Sequence, residues 1–262
     1  MSGLEGHLAP LSDEQLRLAL RGLGLPPDPR VVDLCCGHGA ASRLLATEFD
    51  ARCTGVDLSE RLLREAREQA LAMGLQERVE FLQGDARHVE LPNHCFDVVI
   101  ALGGALTYMG RSEGLERIRF LLRPGGALLF SDLIYLDSPV PEEALRVLSE
   151  RAPGNEVRSL SLEPAVRAVF EEGVYRFENE QSYRELLLMQ GYEVLFIFLV
   201  PESAWNDYYR RAAQSILDPS IGLQIPVGAD ELASYYCWGG RWGMAYLVCG
   251  ARAPAGDPSS AM

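Results

Sequence analysis

Acidic residues and glycines in the first third of the chain follow short apolar runs at spacings that could hold a nucleoside. Asp33 ends the first run and precedes Gly37 and Gly39, whose missing Cβ atoms let the backbone approach a ligand closely. Asp57 ends the next run about 20 residues after Gly37, where a carboxylate can accept hydrogen bonds from both ribose hydroxyls. Asp85 follows the third run, where a carboxylate can accept a hydrogen bond from the exocyclic amine of adenine. Each acid alone could cap its own loop, but the combination predicts a nucleoside cofactor site.

Alternating strands and helices must position these residues. We expect a first helix over residues 11–22, begun by a capping box at Ser12, and a buried apolar strand over 30–34. The later predicted elements are strands over 52–56, 79–82, 96–101 and 127–130, and helices over 40–49, 59–74 and 111–122. This alternation predicts a Rossmann-like, doubly wound α/β fold with a mostly parallel sheet and α-helices on both faces. Ligands of such sheets bind beyond the carboxyl ends of the strands, where the strand order reverses.

The second half of the chain is less regular but continues the same domain. Its predicted elements are a helix and two strands, over residues 178–189, 192–200 and 242–249. We expect seven strands in all, the last of them antiparallel. No linker separates two domains, so residues 1–251 are interpreted as a single domain, with insertions at about 133–177 and 201–241 that form a substrate lid. Residues 252–262 are expected to be a disordered tail.

The glycine loop distinguishes two kinds of nucleoside site. A dinucleotide site uses a third glycine for close packing of helix and strand, and Ser42 stands in that place. The segment DLCCGHG instead resembles motif I of the class I S-adenosyl-L-methionine (SAM)-dependent methyltransferases, usually D-h-G-x-G-x-G, with Cys35 replacing the first glycine. Four later segments resemble further motifs of that family: GVDLSERLLREAREQA, FLQGDA, CFDVVIALGGAL and LLRPGGALLFSD. The resemblance covers about residues 28–135.

Within the family, the chain most resembles small bacterial methyltransferases of unassigned substrate, of the methyltransferase type 11 kind. The segments PESAWNDYY and WGMAYLVCGAR carry this likeness. The resemblance implies that SAM is the cofactor and that S-adenosyl-L-homocysteine (SAH) is its product. It also implies cofactor contacts to the ribose from Asp57, to the adenine from Leu58, Asp85 and Ala86, and near the methionine part from Asp33, Cys35, Gly37, His38, Gly39, Ala101 and Leu102.

Methyl transfer from a sulfonium ion is an in-line displacement that depends mainly on the positioning of acceptor and methyl group. A base is needed only if the acceptor carries a proton, so no catalytic residue is assigned. Tyr108, Asp132 and His38 are candidates for a base or an orienting group, and structural roles for them stay open. The residues that could contact substrate are Tyr108, Tyr135, Trp205, Tyr209 and Tyr235. We expect no metal site.

Composition narrows the expected partners and location. The formal net charge of −13 disfavours nucleic acid and anionic membranes. No signal peptide pattern and no apolar run near the length of a membrane span are present, so we expect no membrane association. Six scattered cysteines without a CxxC pair indicate a reduced, cytoplasmic protein. The expected partner is a small-molecule methyl acceptor, and the expected state is a monomer or a homodimer.

Two other functions stay open from the sequence alone. One is an NAD(P)-dependent oxidoreductase built on a related sheet, against which Ser42 and the third acid, Asp85, both argue. The other is a SAM-binding protein without catalytic activity, which these residues do not distinguish from an enzyme of unknown acceptor.

Overall fold

The structure, a computed structural model, describes residues 9–136, 178–217 and 244–256. Its elements in chain order are α1 (Asp13–Gly22), β1 (Arg30–Leu34), α2 (Ala40–Glu48), β2 (Arg52–Asp57), α3 (Glu60–Ala72), β3 (Val79–Gln83), β4 (Phe96–Ala101), α4 (Ala105–Met109), α5 (Arg111–Leu121), β5 (Leu122–Tyr135), β6 (Glu178–Asn179), α6 (Glu180–Met189), β7 (Glu193–Leu199), α7 (Glu202–Leu217) and β8 (Met244–Arg252). The alternation of strands and helices predicted from the sequence is confirmed.

Seven strands form one continuous sheet in the order β3-β2-β1-β4-β5-β8-β7, and the two-residue strand β6 pairs with β5. All pairings are parallel except those of β8, which runs antiparallel to β5 and β7. The expected Rossmann-like sheet with an antiparallel last strand is therefore confirmed. The chain moves outward from β1 to β3 and then returns to β4, so the strand order reverses between β1 and β4. A sheet of this kind binds its ligands at the carboxyl ends of those two strands.

Helix α1 begins as its sequence predicts. The Ser12 hydroxyl accepts a hydrogen bond from the Gln15 N–H, and the Gln15 side chain accepts one from the Ser12 N–H. This capping box satisfies two N–H groups that the start of a helix otherwise leaves without partners. The buried residues Leu16 and Leu20 then place the apolar side of α1 in the core.

Two apolar clusters cover the two faces of the sheet. One contains side chains of α1, α2, α3 and α7, and the other contains side chains of α4, α5 and α6. Neighbouring residues of a central strand alternate between them, so that Val98 belongs to the first cluster and Val99 to the second. Both residues are fully buried, as strands covered on both faces require. None of the helices in the described ranges is both long enough and apolar enough to cross a bilayer.

Strand β5 is longer than its sequence predicts. The RPGG segment, which lies between the predicted elements 111–122 and 127–130, forms an irregularity inside the strand, because Leu122 pairs with Phe96 and the next partners are Ala127 and Val98. Past residue 130, β5 continues beside β8 as far as Tyr135. The prediction of a strand limited to 127–130 and of an insertion from 133 is therefore wrong at these ends, since the long antiparallel partner extends β5.

Three further boundaries differ from expectation in the second half. Residues 178–179 pair with β5 as a strand, and helix α6 starts only at Glu180, where the Asn179 side chain accepts the Ser182 N–H at 2.8 Å. The last strand runs from Met244 through Arg252, beyond the predicted end at 249. Ala253 is also buried and donates its N–H to Gly126, so the packed domain continues past residue 251.

The predicted lid lies mostly outside the described residues. Residues 137–177 and 218–243, and the end of the predicted tail from 257 to 262, are not among them. The described start of the second insertion is helix α7, which packs on the sheet. The substrate lid stays a prediction.

The ring of Phe196 on β7 lies in a space bounded by two glycines. A Cβ atom on Gly250 of β8 would lie 2.4 Å from Phe196 Cε1 and 2.9 Å from Leu23 Cδ2. A Cβ atom on Gly22, at the end of α1, would lie 2.7 Å from the same ring carbon. The ring therefore packs the end of α1 closely against β8, where a larger residue at either glycine would displace it.

We predict that Gly250→Ala lowers the free energy of unfolding by about 1–3 kcal/mol, because the added methyl group overpacks a rigid ring. The loss should be clearly smaller in a Phe196→Leu background, since the two sites share one space. Urea unfolding of the two single variants and the double variant measures this difference. Additive losses would contradict the proposed packing conflict.

Candidate functional site

Asp57 joins the three loops at the carboxyl ends of β1, β2 and β3. Its Oδ2 accepts the Gly37 N–H at 2.8 Å, and its Oδ1 accepts the Ser59 N–H at 2.9 Å. Its main-chain carbonyl accepts the Gly84 N–H at 2.9 Å. Hydrogen bonds from backbone N–H groups to a carboxylate are stronger than those between neutral groups. Asp57 thus fixes the glycine loop and the turn before Asp85 relative to β2.

Left-handed backbone angles shape the loop between β1 and α2. The φ angles are 59° at Cys35, 55° at Gly37 and 73° at Gly39. A residue with a Cβ atom is disfavoured in this region by about 1–2 kcal/mol. The angle at Cys35 therefore gives a physical reason why the motif it resembles usually has glycine there.

Phe81 of β3 gives two glycines of the site a packing role. A Cβ atom on Gly39 would lie 2.4 Å from Phe81 Cε1, and one on Gly55 would lie 2.6 Å from Phe81 Cδ1. The sequence assigned the missing Cβ atom of Gly39 to close approach of a ligand. The Phe81 ring occupies the space of that Cβ atom, which gives Gly39 a packing role, and contact between the Gly39 backbone and a ligand stays a prediction.

Asp33 lies at the centre of the sheet, on β1 between β2 and β4. It is 2% exposed, and the Ser42 hydroxyl donates to its Oδ2 at 2.7 Å. Burial raises the pKa of Asp33 to about 7, although the Ser42 hydrogen bond opposes the rise. Ser42 stands where a dinucleotide site has its third glycine, and here its hydroxyl instead supports the first acid of the site.

Asp85 is held by Arg87. The Arg87 Nη2 donates to Asp85 Oδ2 at 2.6 Å, and the Arg87 main-chain N–H donates to Oδ1 at 2.9 Å. Partial burial acts to raise the pKa of Asp85, but the hydrogen bonds and charge of Arg87 leave it lowered. The Arg87 guanidinium also lies 5.3 Å from the centre of the Tyr108 ring. Arg87 therefore links Asp85, the acid predicted to contact adenine, to Tyr108 of α4.

Cys35 lies where these loops meet. Burial and the charges of Asp57, Asp33 and Asp85 raise the pKa of its thiol, and the charge of Arg87 opposes them. Residues from the ends of β1, β2 and β3 thus act on one atom. The structure brings the three predicted acids together at the carboxyl edge of the sheet.

The other residues predicted to contact the cofactor differ in exposure. Leu58 and Leu102 are half-buried, and Ala86 and Ala101 are buried. His38 is half-buried in the glycine loop, and its carbonyl accepts a hydrogen bond from the Arg43 guanidinium. His38 follows β1 and Ala101 ends β4, so the two residues lie on either side of the point where the strand order reverses. Both stay predicted contacts of the cofactor.

The loop after β4 is fastened to the end of β5. The Gly103 N–H donates to the Ser131 hydroxyl at 3.0 Å, and the Gly104 N–H donates to the Ser131 carbonyl at 3.0 Å. Residues 105–109 then form α4, a short helix that is not among the elements predicted from the sequence. The Thr107 hydroxyl of this helix donates to the carboxylate of Asp132.

Asp132 is the centre of a buried polar network. It is 2% exposed and also accepts hydrogen bonds from the Tyr183 hydroxyl and, at 2.8 Å, from the Leu133 N–H. Arg111 Nε donates to the Tyr183 hydroxyl at 2.8 Å. Burial raises the pKa of Asp132, and the bonds from Thr107 and Tyr183 limit the rise. Asp132 therefore has a structural role, since it accepts the backbone N–H of the residue that follows it. A role for Asp132 as a catalytic base stays a prediction.

The predicted substrate aromatics are placed differently from one another. Trp205 and Tyr209 of α7 are buried with Tyr208 in the cluster that also contains α1, and their rings meet edge to face at 5.6 Å and 5.2 Å. The backbone of Tyr135 ends β5, opposite Met244. Tyr235 lies outside the described residues. Substrate contact by any of them stays a prediction, and packing accounts for the described rings of α7.

The contacts of three residues of the site were not predicted from the sequence. Arg87 had a local signal, because a basic side chain two residues after Asp85 can fold back on it. Thr107 and Tyr183 had none, since they are 25 and 51 residues from Asp132. Only the sheet brings them to the same carboxylate.

We predict that Asp33 makes the stability of the unliganded protein depend on pH. Its pKa is about 7 in the folded chain and 3.8 in the reference state, so folding retains a proton over that range. The free energy of unfolding should therefore fall as the pH rises from about 4 to 7, by up to about 4 kcal/mol from this group. Asp33→Asn should remove this part of the slope and gain stability relative to the wild type at pH 8.

Urea unfolding of the wild type and Asp33→Asn at pH 5 and pH 8 measures how steeply the free energy of unfolding of each protein depends on pH. Ser42→Ala serves as a second variant, because loss of its hydrogen bond should raise the Asp33 pKa further. Parallel slopes for the wild type and Asp33→Asn would show that Asp33 is ionised throughout.

Sequence comparison finds similarity between the segment that carries this site and known methyltransferases. A model of the methyltransferase domain matches residues 31–126. The 27-O-demethylrifamycin SV methyltransferase of Amycolatopsis mediterranei is 32% identical over 139 residues, which are 52% of this chain and 51% of that protein. The chain thus spans about half the length of this relative.

Solved structures share the fold over nearly the whole chain. The Escherichia coli protein YjhP superposes with a TM-score of 0.69 at 21% identity, covering 96% of both chains. A SAM-dependent methyltransferase of Geobacter sulfurreducens in complex with SAH gives 0.65 at 22% identity, covering 95% of this chain and 94% of that one. Residues 31–126 thus match a methyltransferase domain, and the chain shares its fold with these solved structures.

Proposed function

We propose that the chain is a SAM-dependent methyltransferase that acts on a small-molecule acceptor. The convergence of Asp33, the glycine loop and Asp57 at the switch between β1 and β4 carries the proposal. Asp57 supports it further. A carboxylate has about four acceptor positions, so its bonds to Gly37 and Ser59 are compatible with acceptance of ribose hydroxyls.

The loop residues suit a cofactor with a cationic amino-acid end. Asp33 is a buried carboxyl with a raised pKa, and a nearby ammonium group would favour its ionised form. When bound, SAM would supply a methyl group activated by its sulfonium. Relatives and solved structures named as methyltransferases support this choice of cofactor.

The chain's own contribution to the reaction would be positioning. In-line transfer gains roughly 7–11 kcal/mol from correct placement of the reacting groups. Burial and the charge of Asp85 raise the pKa of Tyr108, which therefore stays protonated at neutral pH. Tyr108 would act by donating or accepting a hydrogen bond to orient the acceptor, rather than by removing a proton.

The alternatives are less well supported. In an NAD(P)-dependent oxidoreductase, the place of Ser42 would be a glycine, whereas Ser42 here donates to buried Asp33. A SAM-binding protein without activity would share all the cofactor contacts, so only an acceptor distinguishes it from an enzyme. We propose further that the protein is cytoplasmic and does not bind nucleic acid, because its described cysteines are free and its net charge is −13. A monomer or a homodimer fits the same proposal.

We predict that the protein binds SAH and that Asp57→Asn weakens this binding about ten- to one-hundredfold. Asparagine keeps one oxygen and replaces the other with an NH2 group, so the variant loses one charged acceptor, worth about 1.5–3 kcal/mol, or roughly a ten- to one-hundredfold change in affinity. Isothermal titration calorimetry with SAH measures the change.

Asp97→Asn is the matched control. Asp97 is also largely buried and accepts the Arg30 N–H at 2.8 Å, but it lies at the opposite edge of the sheet. This variant should keep the wild-type affinity for SAH. The proposed function would be overturned if the wild-type protein did not bind SAH and NADH quenched its tryptophan fluorescence. That result would favour the oxidoreductase.

The acceptor can be sought with SAM carrying a labelled methyl group. Incubation with a metabolite extract, followed by untargeted mass spectrometry, should show label in one or a few small molecules. Boiled enzyme is the control for spontaneous methylation. Tight SAH binding without any labelled product would favour a SAM-binding protein that lacks an acceptor.

A further inference from the structure

The loop that leaves β4 is bound to the end of β5 at three points. The Gly103 N–H donates to the Ser131 hydroxyl, the Gly104 N–H donates to the Ser131 carbonyl, and the Thr107 hydroxyl donates to the Asp132 carboxylate. This loop begins directly after Ala101, beside the carboxyl end of β1. Its position therefore depends on a strand that carries none of the three cofactor acids.

Tyr183 of α6 holds Asp132 from the other side. Its side chain is fully buried, its ring lies 5.2 Å from the ring of Phe130, and its hydroxyl donates to Asp132. The same hydroxyl accepts a hydrogen bond from Arg111, whose guanidinium lies 5.5 Å from the ring centre. A cation and a buried carboxylate are thus joined through one phenol.

The network continues into the site through the chain itself. Thr107 precedes Tyr108, and the Tyr108 ring lies beneath the Arg87 guanidinium that holds Asp85. Displacement of Thr107 would therefore move Tyr108 relative to the cofactor acids. The carboxylate of Asp132 has a bond to the loop and a bond to α6, so loss of either changes its place.

We propose that Tyr183, acting through Asp132 and Thr107, is a positioning residue that sets the place of Tyr108 and of the loop facing the methyl acceptor. This rests on the proposed function for its catalytic meaning, but the positioning itself does not. Tyr183 touches neither the three acids nor the glycine loop in any hydrogen bond of the described residues. It should therefore affect alignment of the acceptor and not affinity for the cofactor.

Hydrogen exchange tests the positioning without any substrate. In Tyr183→Phe, amides of residues 102–110 should exchange about tenfold faster than in the wild type, while residues 33–43 stay unchanged. Tyr192→Phe is the matched control, because Tyr192 is equally buried in the same cluster and donates its hydroxyl to the Leu115 carbonyl at 2.9 Å. The control should leave exchange in 102–110 unchanged. Equal exchange of that segment in Tyr183→Phe and the wild type, or the same increase in both variants, overturns the proposal.

Methyl transfer tests the catalytic meaning. At saturating SAM, Tyr183→Phe should incorporate label about ten- to one-hundredfold more slowly, with SAH affinity within about twofold of the wild type. A merely structural loss would lower both the rate of methyl transfer and the affinity for SAH, or would lower neither. Either result overturns the catalytic part of the proposal. A wild type that transfers no label contradicts the proposed function, and the exchange experiment then still decides the positioning.

A second variant covers the case in which Tyr183→Phe does not fold. Thr107→Val removes the other hydroxyl on Asp132 and should produce the same faster exchange in 102–110. If both fold, the double variant should transfer methyl groups no more slowly than the slower single variant, because both residues act through one carboxylate. If the losses of methyl-transfer rate in the two single variants multiply in the double variant, Tyr183 and Thr107 contribute independently, which overturns the proposal.

Discussion

The two backbone N–H groups on the Asp57 carboxylate are the constraint on which the site depends. They tie the start of the glycine loop and the start of α3 to the end of one strand. The carbonyl of the same residue holds the turn that leads to Asp85. Three loops that would otherwise move separately therefore share one reference point, and the cofactor acids keep fixed mutual distances. Asp57, which is predicted to bind the ribose, therefore also holds the loops that would surround the ribose.

The site is assembled from both halves of the sheet. The three acids predicted to contact the cofactor follow β1, β2 and β3, whereas the proposed acceptor side follows β4 and β5. The Arg87 guanidinium connects the halves, because it pairs with Asp85 and lies over the ring of Tyr108. Beyond this contact, Asp132 gathers the loop after β4 and the helix α6. In the proposed function, binding of the cofactor and alignment of the acceptor would thus depend on separate groups of residues that meet at Arg87.

The first half of the fold could be predicted from the sequence because its signals are local. Apolar runs, the capping box at Ser12 and the acids at strand ends each lie within a few residues of the structure they specify. The end of β5 was predicted wrongly, because its length is set by pairing with β8, more than a hundred residues later. For the same reason, the partners of Asp132 were not visible. The packing role of Gly39 was not predicted, because the ring that fills the space beside it comes from β3.

Phe81 gives the site a limit on how its sequence can change. The one ring occupies the space left by both Gly39 and Gly55, which belong to the loop after β1 and to β2. A larger residue at either glycine requires a smaller one at 81, and a smaller residue at 81 leaves a void over the other glycine. The three positions are therefore coupled, and the φ of 73° at Gly39 and the Cys36 Sγ atom, 2.9 Å from a Cβ on Gly55, restrict the two glycines further. An engineer who wishes to reshape the cofactor loop must redesign all three together.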